Sequence, residues 1–172
     1  MKRKRAEAFS HRIDMLAAVG YDGPLTAATI TPAQRKKSKQ RGVNKIRLLQ
    51  FLTEDLAPAI AARAQWSHII ITDQGLHPRP DEVKAALAIG GANNVEDVWL
   101  IPTGAGKFIN PLDNTLFSTT KTDYRGRRAG TIKRAASNLR DAFMQLSQQD
   151  VRACYRHCGL TPAHDGAYDL DG

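Results

Sequence analysis

Ser67-His-Ile-Ile-Ile-Thr-Asp73 is the stretch on which the fold turns. Ile69 to Ile71 run on without the alternation of a half-buried strand. A short, continuous β-branched run of this kind is the pattern of a strand buried on both faces. Pro80 to Ile89 follows with helical character, a proline near its start and Gly90-Gly91 at its end. Val95 to Ile101 is a second strand-like run. Strand, helix, strand in this order predicts a parallel pair joined by a crossover.

Upstream, Ile13 to Val19 and Leu25 to Ile30 flank the turn signal Tyr21-Asp-Gly-Pro24, which predicts a hairpin. Thr31 to Gly42 reads as a loop. Ile46, Leu48, Leu49, Leu52, Leu56 and Ile60 recur at helical spacing, so 44–63 is a predicted helix that Pro58 should kink or divide. Downstream, residues 102–109 read as a loop, and helices are predicted at 111–121, 131–146 and 149–157. The sum is an α/β chain with a mixed sheet and flanking helices. It divides into a basic arm at 1–11, a domain at 12–160 and a flexible tail at 161–172.

Composition narrows the function classes. The chain has 172 residues, 42% hydrophobic and 24% charged, enough for one well-buried core. No apolar run approaches the roughly 20 residues of a membrane span, so no membrane is expected. Met1-Lys-Arg-Lys-Arg5 has no apolar segment behind it and is not a secretory signal. Cys154 and Cys158 are the sole cysteines. With only His157 and His164 nearby they read as buried thiols rather than zinc ligands, in an intracellular, reducing compartment.

The formal net charge of +8 favours a polyanionic partner, nucleic acid first and acidic membrane surfaces second. The candidate phosphate-binding residues are Lys2, Arg3, Lys4 and Arg5 in the arm, and Arg35, Lys36, Lys37, Lys39 and Arg41 in the predicted loop. Lys107, Lys121, Arg125, Arg127 and Arg128 lie further on. Trp66 and Trp99 flank the strands as packing residues.

Two carboxylates carry the candidate chemistry. Asp73 ends a strand, where reactive groups gather in open α/β sheets. Asp113 begins a helix after the next strand. Together they could hold a divalent ion, and hard oxygen ligands select Mg²⁺ or Mn²⁺. The plainer alternatives stay open: a turn-starting Asp73, and an Asp113 favoured by the helix dipole.

These features, in order, resemble the carboxyl-terminal part of a DDE transposase of the Tc/mariner superfamily, in its bacterial insertion-sequence branch. Ile13-Asp-Met-Leu-Ala-Ala-Val-Gly-Tyr-Asp-Gly23 resembles the family's second strand and glycine turn. Phe51-Leu-Thr-Glu-Asp-Leu-Ala-Pro58 resembles the helix ending in Leu-x-Pro. Ile69-Ile-Ile-Thr-Asp73-Gln-Gly-Leu-His77 resembles the strand presenting the second catalytic Asp. Leu100-Ile-Pro102 with Asn110-Pro-Leu-Asp113 resembles the segment carrying the third acid. Lys121 is similar to the lysine of the following helix, and Tyr155-Arg-His-Cys-Gly159 resembles the closing motif. The resemblance implies an RNase H-like fold and metal-dependent DNA strand cleavage and joining.

Departures accompany the resemblance. Gln74 replaces the usual Asn, and His77 comes one residue early. Thr103-Gly-Ala-Gly-Lys107 replaces a Ser-Pro pair, and the third acid is Asp. The resemblance places the first catalytic Asp on a central strand upstream of the hairpin, before Met1. The expected fold therefore lacks its own first central strand. Three arrangements are open: a protein partner or second copy supplies the strand, residues 12–19 shift so that Asp14 becomes the first acid, or the chain is an inactive descendant. In the last case it serves as a non-catalytic nucleic-acid-binding or scaffold subunit of a larger assembly.

Overall fold

The computed structural model describes residues 12–38, 42–63, 65, 67–76, 78–102, 104–162 and 168–169. The basic arm, Lys39, Arg41, Trp66, His77 and most of the expected tail lie outside the described residues. The chain is mixed α/β. Its strands, however, form separate two-stranded sheets rather than one mixed sheet.

Strands β1 (Asp14–Gly20) and β2 (Gly23–Ile30) form the antiparallel hairpin, with Gly20 opposite Gly23 across the turn. Gly23 takes φ 135°, a conformation that side chains resist. The tip is anchored by Asp22, which accepts from Gln148 (3.1 Å) and from Arg152 (2.5 Å).

The segment expected as a loop contains helix α1 (Pro32–Ser38), which buries none of its residues. Next come α2 (Lys45–Phe51), a π-helical turn (Leu52–Leu56) and α3 (Ala57–Ala61). Pro58 accounts for the widening. It has no N–H for the carbonyl four residues back, and just ahead of it the Ala57 amide donates to Leu52, five back.

Strand β3 (His68–Asp73), helix α4 (Pro80–Ile89) and strand β4 (Val95–Ile101) form the predicted crossover, with β3 and β4 parallel. The predicted 102–109 loop holds a short helix, α5 (Gly106–Ile109). A second π-helical turn (Leu112–Leu116) leads into α6 (Phe117–Gly126), longer than expected. Helices α7 (Ile132–Met144) and α8 (Gln148–His157) complete the helical layers. In the expected flexible tail, β5 (Thr161–Pro162) pairs with β6 (Tyr168–Asp169).

Two apolar cores form on opposite faces of the strands. Ile70 and Ala18 point into a core of Phe51, Leu52, Leu56, Val83, Leu87 and Val98. Their neighbours Ile71 and Val19 point into a second, with Leu116, Val151, Cys154, Cys158 and Leu160. Alternate strand residues face opposite ways, so the strands are covered on both sides. The α2–α4 layer is fitted closely: a Cβ on Gly90 would lie 2.3 Å from the Thr53 carbonyl oxygen and 2.4 Å from the Ala57 Cβ.

Among the described residues, β1 pairs only with β2 and β3 only with β4. Among these residues no strand lies between β1 and β3, and the two do not pair with each other. Among the described residues, β1 and β3 leave a space between them.

Candidate functional site

The gap is a cavity of about 320 Å³. Met15 to Gly20 of β1 line one side, and Ser67 with His68 to Asp73 of β3 the other. Leu48, Phe51 and Leu56 contribute from one helical layer, and Leu112, Phe117 and Tyr155 from the other. Within the lining, the Tyr155 hydroxyl donates to the Val19 carbonyl at 2.9 Å. The partial exposure of Ile69, Ile70 and Ile71 follows from the open edge of β3. Both faces of β3 are covered, but the edge that lines the cavity has no strand beside it among the described residues.

Asp73 and Asp113 both line this cavity. Asp73 ends β3, and its Oδ1 accepts from the Gly75 amide at 3.0 Å. A Cβ at position 75 would meet Asp73 Oδ2 at 2.8 Å, so glycine leaves room for the carboxylate to fold over its own turn. Asp113 sits in the second π-helical turn, a distortion frequent at functional sites. Its Oδ2 accepts from Asn110 Nδ2 at 3.0 Å, while Asn110 Oδ1 takes the Leu112 amide at 3.0 Å. Gly106 approaches the same oxygen closely enough that a Cβ would lie 3.2 Å from it.

Burial pushes the Asp113 carboxyl above the ordinary aspartate range, and the Asp73 charge raises it further. The Asn110 hydrogen bond and the Lys121 ammonium pull the other way. Two carboxylates that repel across a partly desolvated cavity form an attractive seat for a cation. Oxygen donors fit Mg²⁺ or Mn²⁺, which bind through one or two carboxylates and keep water or phosphate in their other positions. Among the described residues no group of three or more His, Cys, Asp or Glu is placed to hold a metal.

Asp14 is engaged elsewhere. It is buried, receives Arg12 Nε on Oδ1, and receives Arg35 Nη1 on Oδ2 at 2.8 Å. Gly42, at φ 105°, lies over the same carboxylate. The structure thus spends Asp14 on joining β1 to α1, and Asp14 is not in the cavity lining.

The basic residues divide in the same way. Lys36 and Lys37 are exposed on α1, while Arg35 beside them is turned onto Asp14. Arg125 and Arg128 are exposed, whereas Arg127 pairs with Asp123 and reaches Gln145. Lys107 is exposed and lies 4.7 Å over the Phe108 ring, and Lys121 is exposed on α6 beside the carboxylate pair. Trp99 lines the cavity and donates to Asp97 at 2.8 Å.

Cys154 and Cys158 are free and buried. Burial, together with Cys154, pushes the Cys158 thiol up to about 11. Among the described residues no helix is long and apolar enough to cross a membrane. No protein-family model, no curated protein and no solved structure matches this chain.

Proposed function

We propose that this chain is the two-carboxylate part of an RNase H-like, DDE transposase-derived domain for metal-dependent DNA strand cleavage and joining. The observation that supports this most is the pairing of Asp73 and Asp113 on one cavity, each at the end of an element and each with a glycine making space beside it. Divalent ions held there would activate a water and stabilise the leaving oxygen of a phosphodiester. Asn110 would fix the Asp113 carboxylate, and Lys121 would hold positive charge near the scissile phosphate. Exposed Lys36, Lys37, Lys107, Arg125 and Arg128 would hold the DNA backbone. A third carboxylate would enter from outside the described residues, since Asp14 is committed to Arg12 and Arg35.

The test is Mn²⁺ binding by the purified chain, followed by calorimetry and by paramagnetic broadening of signals from residues 73–75 and 110–113. Wild type should bind weakly, and Asp73→Asn and Asp113→Asn should each reduce affinity about tenfold or more, as charged ligands are lost. Unchanged binding in both variants would refute the site.

A second function is favoured by the engagement of Asp14. With only two acids in place, the chain could serve as a non-catalytic nucleic-acid-binding or scaffold subunit. DNA binding without any Mn²⁺ effect at Asp73 would select it.

A further inference from the structure

The cavity between β1 and β3 shares its rim with the proposed ion site, but its walls point to a different occupant. Two strand edges face each other across it. Among the described residues neither has a strand partner on that side, and on β1 the Val19 carbonyl is taken by the Tyr155 hydroxyl. An unpaired edge presents alternate N–H and C=O groups that must find partners when water is excluded. Above and below, the walls are apolar, with Leu48, Leu56, Phe117 and Leu112 among them. His68, also on the lining, has a buried Nε2 with no hydrogen-bond partner. A small molecule would satisfy one or two of these groups. An extended peptide satisfies both rows at once.

We infer that this cavity is a receptor slot for one apolar β-strand contributed by a segment outside residues 1–172, inserted between β1 and β3 to join the two sheets. β1 has seven residues and β3 six, so the inserted segment is about as long, roughly 20 Å at 3.3 Å per residue. It is apolar on both faces, because both walls are apolar. Those two properties exclude the nearer sources. Residues 1–11 carry Lys2, Arg3, Lys4, Arg5 and Glu7, whose charges would be buried against both walls. A second copy has no spare strand of this kind among the described residues, since its apolar strands β3 and β4 already lie in its own core.

The test needs neither metal nor DNA, so it can fail independently of the proposed function. The full chain is mixed with a peptide of about ten residues, roughly six of them alternating Val and Ile between terminal lysines. Residue-resolved hydrogen exchange is then measured. Slot-facing amides in both 15–19 and 69–72 should slow about tenfold or more, and a peptide with proline at two central positions should give no protection. Protection of one edge alone, of neither, or equally by the proline peptide would overturn the slot. Protection that grows with protein concentration in the absence of peptide would overturn the choice of an outside segment in favour of a second copy. A gain of about tenfold in peptide affinity on deleting residues 1–11 would overturn it in favour of the chain's own arm.

Discussion

The charge on Asp73 acts on Asp113 across the cavity they share, and together with burial it lifts the Asp113 carboxyl above the ordinary aspartate range. A raised folded-state pKa means that the folded chain holds a proton the unfolded chain has released. Stability therefore falls as pH rises from the ordinary aspartate value through the raised one. Asp113→Asn should make the protein more stable at neutral pH, by less than about 1 kcal/mol because the side chain is largely exposed. The gain should vanish below the ordinary aspartate range. Urea denaturation of both proteins across pH 3–7 measures it.

The purified chain should not nick supercoiled DNA in Mg²⁺ or Mn²⁺. Two acids leave the ions poorly held and the phosphoryl charge under-compensated. Nicking abolished by Asp73→Ala would overturn this. If Asp14→Ala abolished the same nicking while leaving the fold intact, Asp14 would have to leave its two arginines.

Asp14→Ala should instead act on stability. It leaves Arg35, whose side chain is only 14% exposed, without the carboxylate it faces. Removing one partner of a buried pair costs about 3 kcal/mol or more. Arg12 is more exposed, so Arg12→Ala should cost under about 1 kcal/mol. Thermal unfolding of the two variants should show this asymmetry, and equal shifts would refute it.

Parts of this architecture could be read from the residues alone. β3, α4 and β4 were visible because apolar runs, a leading proline and a closing Gly90-Gly91 all agree. α1 was not, because a helix with no buried residue has no apolar period. Its signal was local: Thr31 and Gln34 cap each other, with the Thr31 amide donating to Gln34 Oε1 at 2.8 Å and Pro32 between them. Asp73 and Asp113 were visible as element-end acids. The fate of Asp14 was not, since Arg35 reaches it only through the path of the intervening hairpin. The supporting glycines, Gly75 and Gly106, were also hidden, because their role is the room they leave.

Gly90→Ala should destabilise the chain although its φ of −80° suits alanine. The new methyl would sit against the Thr53 carbonyl and the Ala57 methyl, both at contact distances that force a shift. Thr53 also donates to the Ala86 carbonyl at 3.1 Å, so separating α4 from the π-helical turn strains that bond. Overpacking of this kind costs about 1–3 kcal/mol. Urea midpoints would measure the loss, and an unchanged midpoint would show that the contact of α4 with the π-helical turn and α3 can give.

Native Cys158 should resist alkylation. Its thiol is buried and titrates near 11, so little thiolate exists at pH 8. Labelling with iodoacetamide should be far slower than for the urea-unfolded chain, and the two rates should converge as unfolding is approached. Equal rates in native buffer would show that α8 opens readily from the core around Val151 and Leu160.

Nucleic-acid binding, if carried by exposed cations, should respond to the right subset of arginines and lysines. Affinity for a short DNA duplex should fall steeply with salt, because each neutralised phosphate releases counterions. Replacing Lys36, Lys37, Arg125 and Arg128 with neutral residues should flatten the slope of log affinity against log salt by up to about 3–4, near 0.9 per lost phosphate contact. Replacing Arg127, held by Asp123 and Gln145, should change that slope little. Arg35→Ala should lower stability through Asp14 and leave the slope nearly unchanged in the fraction that stays folded. Binding insensitive to salt and to the four exposed cations would show that the positive charge serves a protein partner instead.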